Sequence, residues 1–389
     1  MNNCDTTCNA DNVCEKVGGL LLDMEAIWND YYGEPKSVYI ATGNVGIPAD
    51  ADLSGSPAKY ANDQIEYMRG AAVINAQNPK GLFLVGGNNF DQVQIPAYNL
   101  VGQESKFYNG FSQLMANKQV FPVLGQEDFW AAQDTVGAID VKMANTFLRF
   151  FPHLTDAKRY YSVYDAKTKT EFFILSSGRY RDPYTPYTSG FVYANDRLVG
   201  DDQYDWFAQR IAATPAKNKV VIFTEPFTTI PNSFVGIGGS AGSFAYFDTW
   251  DFQSFGVQLI INGHVGSSYH LRRSSVNMVN ASAFSRSRMG MKASSTSDNT
   301  EPPTINSLFG QGGWGIEYFS HQPMGIAATN YNYPSGVPLG WVVPKNEFFR
   351  MTARTDGIFC EFVSYNPYAG SAEAVKNSLI VEHSFDILN

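Results

Sequence analysis

The chain has 389 residues, 44% of them hydrophobic, enough apolar sequence to bury one large α/β domain or two smaller ones. Its formal charge of -9, with 28 Lys+Arg against 37 Asp+Glu and no basic cluster beyond Arg272-Arg273, argues against a polyanion-binding face, so nucleic acid is not an expected ligand. No run of about 18 apolar residues is available to span a bilayer, and the opening MNNCDTTCNADNVCE lacks the basic-then-apolar build of a secretory signal, so the expectation is an unprocessed, soluble chain.

In chain order, residues 1–30 read as an amino-terminal arm with a lead-in helix. Cys4, Cys8 and Cys14 crowd its first fifteen positions. A thiolate zinc site would need a fourth ligand, and no histidine precedes His153, so the cysteines are read as part of an assembly element. The arm is too polar to offset about 1–2 kcal/mol per residue of backbone entropy by intrachain packing, and a partner surface is expected to supply the missing contacts.

A core is expected over 31–273. There SVYIATG, GLFLVGG, QVFPVLG, EFFILSSG, KVVIFTEP and VQLIING are short runs of apolar residues, each closed by Gly, Pro or a small polar residue, as strands are. SPAKYANDQIEYMRGAAVINAQ and DDQYDWFAQRIAATPA have apolar residues near helical spacing, with Asp201 or Asp202 as the N-cap of the second. This alternation predicts an α/β sheet with ligand-binding loops at the strand carboxyl ends. Residues 274–345 read as a loop-rich insertion, and 346–389 as strands completing the sheet. Cys360, in GIFCEF, reads as a small core residue.

The strand ends, in order, are ATGNVG, GNNFD, LGQEDF, FTEPF and NGHVG. This succession resembles the signature blocks of the calcineurin-like metallophosphoesterases, most closely the purple acid phosphatase branch, whose blocks run GDxG, GDNFY, GNHD, HxP and GHxH. The resemblance spans roughly residues 37 to 273. It implies a four-layer α/β/β/α sandwich with two mixed sheets and a dinuclear metal site at one edge. Here the positions of that site are altered: Asn44 and Asn88 stand for aspartates, Asp91 for the tyrosine, Gln126 for asparagine, Glu127 and Thr224 for histidines, and Gly266 for the second histidine of the last block. His264 alone matches. His270, four residues after Gly266, does not restore the spacing.

A metal pair needs an anionic bridge to offset the repulsion of two cations, and neutral Asn88 cannot supply one. No catalytic residue and no cofactor are therefore expected. The oxygen donors Asn44, Asn88, Asp91, Glu127 and Glu225 suit a single hard cation, or else hydrogen-bond one another and the loop backbone; the second reading is preferred. His264 is read as a satisfied buried histidine. GIGGSAGSF lacks the Gly-Lys-Ser/Thr of a phosphate loop, and Ser267 and Ser268 lack a nucleophile elbow. Tyr180, Tyr184 and Tyr187, on a Pro-braced run, suit contact with protein or carbohydrate, or else cover a sheet edge.

The sequence thus points to a noncatalytic structural or interaction protein, a pseudoenzyme built on a phosphatase-like fold. The expected partners are further copies of itself or other subunits of an assembly. A surface rich in Asn, Ser, Thr and Tyr suggests a virion, a phage capsid or tail, with an extracellular or cell-surface filament as the rival. A metal-dependent phosphoesterase with a rebuilt site is the alternative from another class.

Overall fold

The structure is a computed structural model that describes residues 35–43, 57–86, 110–124, 151–154, 160–177, 179–180, 192–193, 203–224, 226, 247, 250–263, 268–281, 314–319 and 346–389. Two mixed sheets stack face to face. In the six-stranded sheet, β1 (Ser37–Thr42), β2 (Gly81–Leu84) and β3 (Val120–Pro122) run parallel. They continue antiparallel through β13 (Asn346–Arg354), β14 (Gly357–Tyr365) and β15 (Ile380–Leu388), in the order β15-β14-β13-β1-β2-β3.

The seven-stranded sheet has β4 (Tyr161–Asp165), β5 (Thr170–Ile174), β8 (Asn218–Ile222), β9 (Leu259–Asn262), β10 (Tyr269–Arg273), β11 (Val276–Asn280) and β12 (Gly315–Phe319), in the order β12-β10-β11-β9-β8-β5-β4. A separate ribbon joins β6 (Arg179–Tyr180) to β7 (Val192–Tyr193). It brackets the Tyr-rich run. Tyr180 pairs with Val192, while Tyr184 and Tyr187 lie outside the described residues.

The strands read as continuous apolar runs because both of their faces are covered. Phe172, Ile174, Val220, Ile222, Leu259 and Ile261 face the other sheet. The alternate residues Phe173, Leu175, Val221, Phe223 and Ile260 face outward into a second core. There α2 (Gln203–Ala213) covers them, with Gln203, Phe207 and Ile211 buried at four-residue spacing along one face. Phe207 meets Phe173 edge-on at 5.5 Å, Trp250 at 5.4 Å and Phe252 at 5.8 Å. On the far side α1 (Pro57–Ala76) buries Tyr67, Ala71, Val73 and Ile74, and Arg69 donates to the carbonyls of Pro367 and Gly370 beside α3 (Ala372–Lys376). The result is the expected α/β/β/α order of layers.

Between the sheets Tyr39, Phe83 and Phe172 interlock, with ring centroids 4.5 Å apart for Tyr39–Phe172 and 4.7 Å for Phe83–Phe172. The stretch 274–345, expected as loop, contributes β11 and β12 to the seven-stranded sheet, and β11 lies inside it between β9 and β10. The boundary at 273 therefore falls within a hairpin. Its Asn-rich sequence VNMVN hides a buried strand, in which Asn277 donates to the Gln258 carbonyl and accepts from His270 Nε2. The arm with Cys4, Cys8 and Cys14, and the N-cap candidates Asp201 and Asp202, lie outside the described residues.

Candidate functional site

The carboxyl ends of the parallel strands are held level by bonds that continue each ladder past the last paired residue. In one sheet Val85 N donates to Thr42 O at 2.9 Å and Val123 N to Leu84 O at 2.9 Å. In the other, Leu175 N donates to Ile222 O at 2.8 Å, Phe223 N to Ile261 O at 3.1 Å and Gly263 N to Thr224 O at 3.2 Å. Both edges thus end together, as a site built from strand exits requires.

Two hydrogen bonds join the edges across the sandwich, and a third ties their donors to each other within the seven-stranded sheet. The Thr224 hydroxyl donates to the Val123 carbonyl at 3.3 Å, and its own amide donates to the Ser177 hydroxyl at 3.1 Å. Ser177 N donates to Leu124 O at 3.4 Å. Gly263 lies so close to β2's exit that a Cβ there would sit 2.6 Å from the Val85 carbonyl oxygen, closer than side-chain carbons come. Glycine is needed at this position for backbone approach, before any question of the histidine that follows it.

Of the site positions read from the sequence, Thr224 is described, and it stands at this seam with no exposed surface. Gly43, Gly86, Leu124 and Gly263, which precede the blocks holding Asn44, Asn88, Gln126 and His264, mark exits of strands in the two sheets. Asn44, Asn88, Asp91, Gln126, Glu127, Glu225, His264 and Gly266 themselves lie outside the described residues. His270 does not return to the seam. It is held in β10 and faces β15 of the opposite sheet, stacked on Phe385.

The seam also holds polar residues that the sequence analysis passed over. Ser176 exchanges two backbone hydrogen bonds with the Gln203 side chain at the start of α2, its N donating to Oε1 at 2.7 Å and its O accepting from Nε2 at 3.1 Å. Asn262, buried one residue before Gly263, donates to Phe223 O at 2.9 Å and is in parallel register with buried Asn280. Glu347 on β13 is fully buried two residues beyond the Ala41–Phe349 pair, and accepts from the Tyr318 hydroxyl at 3.3 Å. The signal for Ser176 and Asn262 was their place at strand exits. Glu347 carried none, because β13 comes from the far end of the chain.

The chemistry available at the described seam is that of hydroxyls, amides and backbone groups, with the one carboxyl group of Glu347 held by the Tyr318 hydroxyl. Thr224 has no imidazole nitrogen, and its proton is committed to Val123. Among the described residues no three His, Cys, Asp or Glu side chains are grouped as a metal would need. Cys360 is a free thiol in the core, as expected, and burial pushes its pKa up.

No family model matches the chain, and no curated protein matches it in sequence. Solved structures do share its architecture. GAP50, the anchor in the inner membrane complex of Plasmodium, superposes with a TM-score of 0.52 at 14% identity, covering 92% of this chain and 89% of that one. A purple acid phosphatase from yellow lupin seeds superposes with a TM-score of 0.50 at 13% identity, covering 91% of this chain and 54% of the lupin protein. The chain has the calcineurin-like metallophosphoesterase fold.

Proposed function

We propose that the protein is a noncatalytic scaffold or interaction subunit that uses a phosphatase-like fold as a rigid body. The observation that carries this reading is Thr224. Where the resemblance puts a metal-binding histidine, a buried hydroxyl bonds to the Val123 carbonyl and serves as a strut between the two sheets. A strut of this kind adds to stability, and it offers a metal neither charge nor imidazole. The likeness to an anchor of the Plasmodium inner membrane complex supports the use of this fold for holding other components together.

The proposed partners are further copies of this chain or other subunits of an assembly, reached through the Cys4–Cys8–Cys14 arm and the Tyr-rich run that β6 and β7 bracket. A virion is the proposed setting and an extracellular or cell-surface assembly its rival, both on composition. No helix among the described residues is long and apolar enough to cross a membrane.

Glu347 favours a second reading, a rebuilt hydrolytic site. Its buried carboxyl group lies on β13 two residues beyond the Ala41–Phe349 pair, at the end of the sheet where the parallel strands exit. One experiment separates the two. On the scaffold reading, elemental analysis of the purified protein finds no stoichiometric iron, zinc or manganese, and an aryl phosphate is not hydrolysed between about pH 5 and 8. About two metal ions per chain with metal-dependent turnover would establish the hydrolase instead.

A further inference from the structure

β15 is the outermost strand of its sheet and, among the described strands, pairs only with β14. Its inward side chains reach across the sandwich. Phe385 stacks on the imidazole of His270 with ring centroids 3.8 Å apart and planes 16° from parallel, and His383 stacks on Tyr318 of β12 at 4.9 Å. The two histidines also meet directly, His270 Nδ1 lying 3.1 Å from His383 Nε2.

The hydrogen-bond network settles which nitrogens carry protons. Asn277 Nδ2 donates to the Gln258 carbonyl at 3.3 Å, so its Oδ1 faces His270 Nε2 at 3.0 Å and must accept. His270 therefore carries its proton on Nε2 and presents a bare Nδ1, to which His383 Nε2–H donates. The chain of donors runs His383 to His270 to Asn277. It holds only while His270 is neutral.

We propose that His270 and His383 form a pH-sensitive latch that fastens the carboxyl-terminal strand β15 across the sandwich to β10, closed while His270 is neutral and released when His270 takes a proton. A first proton can enter at Nδ1 of half-buried His383 without breaking the chain, since Nε2–H goes on donating. A proton on His270 Nδ1 is different. It sets two N–H groups against each other at the 3.1 Å contact and places a charge among aromatic rings.

The surrounding charges do not offset that cost. Arg272 on β10 is of the same sign, and burial with Arg272 and His383 nearby outweighs the Asn277 bond, holding His270 down at about 4. Glu317 on β12 acts on His383, whose pKa is lowered by burial in spite of it. Glu347 on β13 accepts from Tyr318, Glu382 on β15 accepts from Ser364, and Cys360 on β14 is a neutral thiol. No carboxylate among the described residues is hydrogen-bonded to either ring.

Because the folded value lies below the ordinary 6.5, the latch contributes fully above about pH 6.5 and is lost progressively as pH falls toward about 4. Backbone amide exchange of the full chain at pH 7.5 and pH 5.0, corrected for intrinsic rates, tests this. The opening equilibrium of β15 should rise roughly thirtyfold at the lower pH, the amount one proton linked between 6.5 and about 4 produces, while β8 amides change far less. In His270→Phe, which keeps a ring on Phe385, the pH dependence of β15 opening should fall well below the wild-type value, leaving only the part that buried His383 contributes. In His383→Gln, which keeps a donor toward Nδ1, the dependence should persist. Equal β15 opening at both pH values, loss of protection in β8 by the same factor, or an unchanged pH dependence in His270→Phe would each overturn the latch. If His270→Phe does not fold, the wild-type β15-against-β8 comparison decides, together with the imidazole resonance of His270, whose titration at or above 6.5 would equally sink the proposal.

Discussion

Asp165 ends an edge strand, yet its carboxylate works as a joint between the two sheets. It accepts from the Tyr39 hydroxyl of the opposite sheet at 2.9 Å, from the Thr168 hydroxyl at 2.9 Å, from Lys167 N at 3.0 Å and from Lys80 Nζ. Burial alone would raise its pKa, but these donors, Lys80 first, outweigh burial and hold it at about 2. Asp165→Ala should cost about 2–4 kcal/mol in urea unfolding, because it strands the buried Tyr39 hydroxyl. Since the folded pKa is depressed, this stability is present above about pH 4 and is lost as pH falls through about 2. The wild type should show that acid limb, and Asp165→Ala should lack it. None of this could be read from YSVYD, whose partners Tyr39 and Lys80 lie far away in sequence. Thr224 is the converse case: its position in the fourth block was legible, while its bond to Val123 had to be seen.

Elements with one clear apolar face, or two, were legible. The i, i+4 spacing of Phe207 and Ile211 needs no tertiary information to mark the buried side of α2, whereas polar Gln203 on the same face is buried through its bonds to Ser176. Phe207 is the anchor of that face, ringed by Phe173, Trp250, Phe252 and Phe255. Phe207→Ala should lower stability by about 3–5 kcal/mol, measured by thermal or urea unfolding, with the cost set by how far the surrounding rings collapse. Less legible were β4, an edge strand whose middle residues are only part-buried, and β11, whose asparagines look like loop. In both, neighbouring strands supply the partners that make a polar residue acceptable inside a sheet.

For the whole molecule, the sandwich is tied at both of its edges. At the strand exits Thr224, Ser177 and Gly263 close on β2 and β3; at the opposite edge Asp165 holds Tyr39, and Asn218 donates to Arg354 O at 2.7 Å and accepts from Asn389 at 2.7 Å. A body closed in this way is expected to fold without residues 2–18. Deleting residues 2–18 should leave circular dichroism and the unfolding midpoint nearly unchanged while reducing self-association or incorporation into the assembly proposed above. Undiminished assembly would move the interface to the globular face, with the run between β6 and β7 as the next place to look.

The sequence by itself determined the rhythm of strand and helix and the order of the strand exits, because these follow from local apolar spacing; that Asn88 stands where a bridging aspartate would is what the family resemblance implies. The charge balance of the sequence also argued against a polyanion-binding face. Only the tertiary structure decided that Thr224 bonds across to Val123, that Gly263 is required by the approach of Val85, and that Glu347, His270 and His383 lie between the sheets. The reason is physical. A strand's pattern records which of its faces are buried, whereas the partner on the other side of that face is chosen by sheet order and register, which bring β13 beside β1 and β15 opposite β10 from distant parts of the chain.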